Sequence, residues 1–246
     1  MPTFARKARE AGMAASAVAE VLRTKLSHET EVLTTSSDLC RGLRVVMLSD
    51  THGHHRKLEV PRGDMLLHAG DFTHYGRESD ALDFNAWLGE LPHTHKIVVL
   101  GNHETNAEWR GRAATLLTNG ILLCDEGVEI PANVDGIAPL RVFGTDFFWP
   151  NVPNAALQAL EPGQADILMV HSPASGFVDD NQGCARLLHN IERIRPSLVV
   201  CGHIHSAHGV HEATGSGPSG STTFVNAANA KRGHGHMGWP AIVMDI

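Results

Sequence analysis

The run Arg44-Val45-Val46-Met47-Leu48-Ser49-Asp50-Thr51-His52 changes character at one point. Five residues suited to a strand give way to a carboxylate and an imidazole two positions apart. The pattern recurs four times. Met65-Leu66-Leu67 leads into His68-Ala69-Gly70-Asp71, and Ile97-Val98-Val99-Leu100 into Gly101-Asn102-His103-Glu104. Ile167-Leu168-Met169-Val170 stops at His171, and Leu198-Val199-Val200 at Cys201-Gly202-His203-Ile204-His205. Short, uninterrupted apolar runs rich in valine and isoleucine read as strands buried on both faces.

Helical spacing lies between several of these runs. Leu82, Phe84, Trp87, Leu88 and Leu91 form an apolar stripe closed by Pro92. Trp109 through Leu117, ending near Asn119-Gly120, and Cys184 through Ile194, closed by Pro196, are two further helices by the same reading. Strand–helix alternation predicts an α/β layered fold. Val128-Ile130, Arg141-Phe143, Val210-His211, Thr222-Val225 and Ile242-Met244 read as shorter, partly antiparallel strands. In open α/β sheets ligands gather beyond the carboxyl ends of the strands, so the five polar clusters are expected on a single rim, converging on one site.

Composition narrows the class of function. Of 246 residues 42% are hydrophobic and 19% charged, as in globular enzymes, and histidine occurs 17 times. A net charge of -7 disfavours a broad nucleic-acid footprint, yet admits a small anion where bound cations supply positive charge. Cys40, Cys124, Cys184 and Cys201 form no CxxC pair and read as reduced thiols. No apolar run reaches bilayer length, so no membrane is expected and the cytoplasm is the default compartment. The first forty residues carry Arg6, Lys7, Arg9, Arg23 and Lys25 among alanines, with Val18, Val21, Leu22 and Leu26 at helical spacing. A mitochondrial presequence is the alternative reading, opposed by Glu10, Glu20, Glu29 and Glu31. A surface helix followed by a linker at Thr34-Thr35-Ser36-Ser37 is preferred.

The clusters supply carboxylates and imidazoles without thiolates. Such a donor set suits manganese, iron, zinc or cobalt better than calcium. Two such ions close together can drive hydrolysis of a phosphate ester. Asp50 and His52 follow one strand, Asp71 follows a glycine, and Asn102 offers an amide oxygen. His171 ends a strand alone, while His203 and His205 straddle one residue and can face different ions. His103 stands ready for proton transfer.

The ordered blocks D-x-H, G-D, G-N-H-E, H and G-H-x-H resemble the signature of the calcineurin-like metallophosphoesterases. Ser49-Asp50-Thr51-His52-Gly53, Gly70-Asp71-Phe72-Thr73, Asp166-Ile167-Leu168-Met169 and Val225-Asn226-Ala227-Ala228 further resemble the metallophosphoesterase-domain-containing family, whose animal members include class III cyclic-nucleotide phosphodiesterases. The resemblance implies an αββα-type sandwich with mixed β-sheets over 43–246, preceded by a helical extension and linker over 1–42. It implies two divalent or trivalent transition-metal ions, manganese, iron or zinc first among them. Asp50, His52 and His205 would bind one, Asn102, His171 and His203 the other, and Asp71 would bridge. His103 would then be the general acid, oriented by Glu104, and Asn226 a supporting residue. The implied activity is phosphodiester hydrolysis by metal-activated hydroxide, on a small substrate such as a nucleotide. The related phosphoprotein phosphatases place arginines soon after G-D and G-N-H-E to clamp a monoester dianion. Here Tyr75 and Thr105-Asn106 occupy those places, with Arg77 and Arg110 out of pattern. A phosphomonoesterase, and a non-catalytic metal-binding regulator or scaffold, are the alternatives.

Around these blocks, His54, His55, His68 and His74 read as loop or supporting residues, with His68 able to orient a ligand. Gly233-His234-Gly235-His236 reads as a glycine-rich surface loop, or else as a loop over the substrate. Trp149 reads as a core or rim aromatic, or as a stacking surface for a nucleobase.

Overall fold

The computed structural model describes residues 32–34, 41–148, 150–214, 221–233 and 235–246. The helix expected around Val18–Leu26, most of the expected linker, Cys40, Trp149 and His234 lie outside the described residues. The strands are β1 (Val32–Thr34), β2 (Arg44–Leu48), β3 (Met65–His68), β4 (His95–Val98), β5 (Ile121–Leu122), β6 (Glu126–Ile130), β7 (Leu140–Gly144), β8 (Ile167–Met169), β9 (Leu198–Cys201), β10 (Gly209–Thr214), β11 (Ser221–Asn226), β12 (Ala230–Arg232), β13 (His236–Met237) and β14 (Ile242–Asp245). The helices are α1 (Glu78–Glu90), α2 (Asn102–Thr105), α3 (Ala113–Leu116), α4 (Ala155–Ala159) and α5 (Ala185–Ile194).

Two six-stranded sheets form the frame, in the orders β1-β14-β2-β3-β4-β5 and β10-β11-β9-β8-β7-β6. Each has a parallel centre and antiparallel pairings towards its edges: β14 is antiparallel to β2, β6 to β7 and β10 to β11. Period-two side-chain alternation explains why the runs are apolar throughout. Val45, Met47, Met65, Leu67, Ile97, Ile167, Met169, Leu198 and Val200 share one core between the sheets. Their neighbours Val46, Leu48, Leu66 and Val98 face Phe84, Trp87 and Leu88 of α1. Leu168, Val170, Val199 and Cys201 face Leu187, Ile191 and Ile194 of α5. The layers are therefore helix, sheet, sheet, helix, the expected αββα-type sandwich.

The expected single rim is shared between two sheets. β2, β3 and β4 end beside one another in the first sheet, and β8 and β9 in the second. The chain beyond β11 fastens them together. Ala228 forms a parallel bridge to Ser49, whose N–H donates to Asn229 Oδ1 at 3.2 Å and whose carbonyl accepts from Asn229 N at 2.8 Å.

Two expectations need correction. Thr34, read as linker, lies in β1 and pairs with Asp245, because the edge of β14 offers unpaired backbone groups and Leu33 can pack on the inter-sheet core. The helix expected from Trp109 to Leu117 is a 3-10 turn, Arg110–Arg112, followed by the short α3; Gly111 sits where a continuous helix would be weakest.

Phe84 stacks on Phe72 with centroids 4.3 Å apart and meets the rings of His55 and His68 edge-on. Replacing it with alanine removes the aromatic stacking between α1 and the loop after β3. Phe84→Ala is expected to cost about 3–5 kcal/mol in urea-unfolding stability; a loss below about 1 kcal/mol would show that α1 does not anchor this rim.

Candidate metal centre

Each ligand-type side chain stands where a strand ends and the chain turns sharply. The segments after β2 and β3 run together: Asp50 N, His52 N and Gly53 N donate to the carbonyls of Gly70, Asp71 and Phe72 at 3.0, 3.0 and 2.8 Å. Gly202 N donates to His171 O at 2.9 Å and so couples the ends of β9 and β8. Asp50, His52, Asp71 and His203 all have left-handed backbones, with φ of 55, 43, 54 and 66°. That conformation costs a non-glycine residue about 1–2 kcal/mol. Four such residues in one place mark a site whose geometry outweighs local comfort. The glycine before Asp71 is needed for φ of +97°, and a Cβ there would lie 2.8 Å from His171 Nδ1. A Cβ on Gly202 would overlap the Asp50 carboxylate.

The side chains meet in overlapping groups that could hold metal ions: Asp50, His52 and His205; His52, Asp71 and His103; and Asp71, His171 and His203. His205 Nε2 lies 3.2 Å from both Asp50 Oδ1 and His52 Nε2. His171 Nε2 lies 3.1 Å from Asn102 Oδ1 and 3.4 Å from Asp71 Oδ2. Asp71 belongs to the second and third groups and meets the first through His52, which the first and second share; the bridge expected of it was between the first and the third. All seven predicted ligands, with His103, are thus brought to one place.

The G-N-H-E block is a single helical turn. Gly101 precedes α2, and Glu104, three residues on, accepts the Gly101 N–H at 2.9 Å, as in a capping box. The same buried carboxylate accepts from Asp71 N and Thr73 N, each at 2.9 Å, and from Thr73 Oγ1 at 2.6 Å. Glu104 therefore acts on His103 through the backbone: it holds Thr73, whose carbonyl lies 3.1 Å from His103 Nδ1. His103 Nε2 faces the cluster, 3.7 Å from Asp71 Oδ2, and its backbone N–H donates to Asp71 Oδ1 at 2.9 Å.

Residues 43–207 match the family model described as calcineurin-like phosphoesterase. This chain belongs to the calcineurin-like phosphoesterase family. It is 34% identical over 232 residues to the UPF0046 protein K07C11.7 of Caenorhabditis elegans, covering 83% of this chain and 76% of that one. It is also 34% identical over 244 residues to the human metallophosphoesterase domain-containing protein 1, covering 82% of this chain and 71% of that one. The crystal structure of TT1561 of Thermus thermophilus shares the fold, with a TM-score of 0.51 and 15% identity over 75% of this chain and 88% of that one.

The donors fit the metals this family implies. His171 Nδ1 donates to the Ala69 carbonyl at 2.7 Å, which leaves Nε2 of the neutral ring as a lone pair. That lone pair faces an amide oxygen and a carboxylate, so three acceptors converge with no hydrogen between them. A cation satisfies all three. With protein atoms alone, protons perform that task. Burial alone would make the His171 imidazolium weaker, but Asp71 and Asp50 outweigh it and push its pKa up to about 10. Burial likewise opposes charge on His205, yet its contact with Asp50 raises it. Burial, against the pull of Asp50, takes His52 down to about 4, and burial with the neighbouring His171 charge takes His203 to about 4. Burial and the Asp71 charge push Glu104 up to about 7 despite its donors.

The supporting residues were only partly legible. His68 meets no ligand directly; its Nε2 lies 3.1 Å from Thr51 Oγ1, between Asp50 and His52, and burial takes its pKa down to about 3. His55 pairs with Asp83 at 3.0 Å, away from the cluster. Asn226, a candidate by resemblance, is fully buried and its Nδ2 faces the carbonyls of Val178, Gly202 and Ile204 at 3.0, 3.3 and 3.0 Å. It thereby sets the turn that sends His203 and His205 to different groups. Asn229 and Thr73 were missed as supports, and the repeated asparagine in Asn226-Ala227-Ala228-Asn229 was the available signal for the first.

Because His171 is raised above its unfolded value near 6.5, its charge stabilises the metal-free protein below that pH and the benefit is lost as pH climbs towards about 10. A metal ion must displace this proton. Calorimetric titration of Mn²⁺ into chelator-treated protein near pH 7, in buffers of different ionisation enthalpy, should report release of about one proton from His171 and a further fraction from His205. Binding without proton release would show that the cluster is already deprotonated.

Proposed function

We infer that this family member is a dinuclear metal-dependent phosphodiesterase, with Asp50, His52 and His205 around one ion, Asn102, His171 and His203 around the other, and Asp71 shared. The arrangement that carries this reading is Asp71 grouped with His171 and His203 on one side and with His52, itself a member of the Asp50–His205 group, on the other, with His103 Nε2 beside it. Transition-metal ions held by these residues would supply positive charge to the phosphoryl oxygens and lower the pKa of water to the range where it can attack. Manganese, iron and zinc all suit the donors.

The chain's own residues supply the rest. The Tyr75 N–H donates to His103 Nδ1 at 3.0 Å, which places the ring's proton on Nε2, on the cluster side. Water gives up one proton to solvent as its oxygen bonds to phosphorus, the bond to the leaving oxygen breaks, and that oxygen takes the proton of His103 Nε2, which solvent then restores. Glu104 keeps the loop carrying Asp71 and Thr73 fixed while this happens.

Preference for a diester is supported by what stands where a monoester dianion would need extra positive charge. Tyr75 follows Asp71 in place of an arginine. Thr105 Oγ1 bonds to Asp146, and Asn106 Nδ2 to its own helix at Asn102 O. Arg110 is paired with Asp146 and Arg112 with Glu78. A singly charged diester needs less neutralisation. Nucleotide diesters, cyclic ones included, are the class to try after simple aryl esters.

Mn²⁺-supported hydrolysis of bis(p-nitrophenyl) phosphate should exceed that of p-nitrophenyl phosphate and vanish with a chelator. His103→Ala should lower kcat by about 10²–10⁴-fold while the metal content holds. Preference for the monoester would replace this reading with a phosphomonoesterase. Metal binding without turnover of either ester would favour the regulatory or scaffold role.

A further inference from the structure

Beyond β9, His205 opens a 3-10 turn, His205–Ala207. The carbonyls just before it are held from the end of β11, where Asn226 Nδ2 faces Gly202 O and Ile204 O. The carbonyl of His205 itself is held by another part of the chain: Trp239 Nε1 donates to it at 3.2 Å. Trp239 follows the hairpin of β12 and β13 and belongs to none of the three ligand groups.

The backbone of Trp239 is tied to the strand that carries Asp50. Asn229 Nδ2 donates to the carbonyls of Trp239 and Pro240 at 3.1 and 3.2 Å, and Asn229 Oδ1 accepts from Ser49 N, one residue before Asp50. Through its side chain and its backbone, Trp239 thus joins the two segments whose side chains meet at 3.2 Å, His205 Nε2 to Asp50 Oδ1. Those segments come from different sheets. The indole has supports of its own. His208 stacks on it with centroids 5.1 Å apart and planes 1° from parallel, and His208 Nδ1 donates to Ala228 O at 2.8 Å. The Lys231 ammonium lies over the ring, 4.7 Å from its centroid, where the ring's quadrupole attracts it. A half-buried indole N–H seeks a hydrogen-bond partner, and the fold gives this one the backbone of a ligand-type histidine.

We propose that Trp239 is a positioning residue that sets the affinity of the ion between Asp50, His52 and His205 and leaves the other ion alone. This rests on the reading of the cluster as a dinuclear centre. A histidine ligand must keep its lone pair aimed at the metal, so a turn freed at the His205 carbonyl lets Nε2 move off line. The residues around the other ion are anchored elsewhere. His171 Nδ1 is fixed on Ala69 O, Asn102 opens α2, and His203 N donates to Asp50 Oδ2.

Trp239→Phe keeps an aromatic ring for His208 and Lys231 and removes the N–H that meets His205. Its effect is read by calorimetric titration of Mn²⁺ into chelator-treated protein, in two backgrounds. His203→Ala retains the ion beside His205, and His205→Ala retains the other. In the His203→Ala background, Trp239→Phe should weaken Mn²⁺ binding about tenfold, as loss of a support around a metal ligand does. In the His205→Ala background the change should stay below about twofold, as for independent sites. Lys231→Met keeps the stem and removes the charge over the indole; it should weaken the same ion by a smaller factor, about two- to threefold. The urea-unfolding midpoint of Trp239→Phe alone should match that of the wild-type protein. Equal weakening in both backgrounds would make Trp239 a general support of the fold and overturn the proposal. Unmoved affinity in the His203→Ala background would overturn it as well. Should the wild-type protein take up fewer than two ions, the dinuclear reading falls and this inference with it; two ions with an unmoved first affinity overturn the positioning role alone.

Discussion

Asp50 and Asp71 are carboxylates almost wholly removed from water at the seam between two sheets, and each is faced by imidazole nitrogens at 3.2–4.0 Å. Burying an ion costs several kcal/mol unless opposite charge and hydrogen bonds compensate it. The rest of the rim is arranged around that problem. His203 N donates to Asp50 Oδ2 and His103 N to Asp71 Oδ1, each at 2.9 Å. Glycines at 70 and 202 allow the backbones to close in, and left-handed turns aim the side chains inward. These devices reduce the cost without removing the need for a cation. In the protein alone the two carboxylates meet part of that need by raising His171 to about 10, and Asp50 raises His205; metal ions would fit the same donors without competing hydrogens.

The αββα frame makes the cluster possible because each sheet brings only part of it. β2, β3 and β4 deliver Asp50, His52, Asp71 and Asn102; β8 and β9 deliver His171, His203 and His205. The inter-sheet core fixes the distance between these two sets, and the bridge from Ala228 to Ser49 locks it at the rim. Supports such as Asn226 and Glu104 act on backbone, so the candidate ligands are held by the fold more than by one another.

Much of this was legible in the sequence because the signals were local. Five apolar runs with polar ends gave the five central strands and the places where ligands leave them. The stripes Phe84-Trp87-Leu88 and Leu187-Ile191-Ile194 gave the two covering helices. What depended on distant pairing was not legible. Nothing in Val32-Leu33-Thr34 announces that it will pair with β14, and nothing in the five runs says that they divide between two sheets. Gly111 hid the break between the 3-10 turn and α3 inside an apolar pattern that looked continuous.

The shared carboxylate is the claim on which the functional reading stands, and metal content by mass spectrometry tests it most directly. Wild-type protein loaded with Mn²⁺ should retain two ions per chain, His205→Ala and His203→Ala about one each, and Asp71→Asn neither at comparable affinity. The asparagine keeps the shape of the side chain and removes its charge, so retention of two ions by Asp71→Asn would contradict a bridge, and a single ion in the wild-type protein would contradict a dinuclear centre altogether.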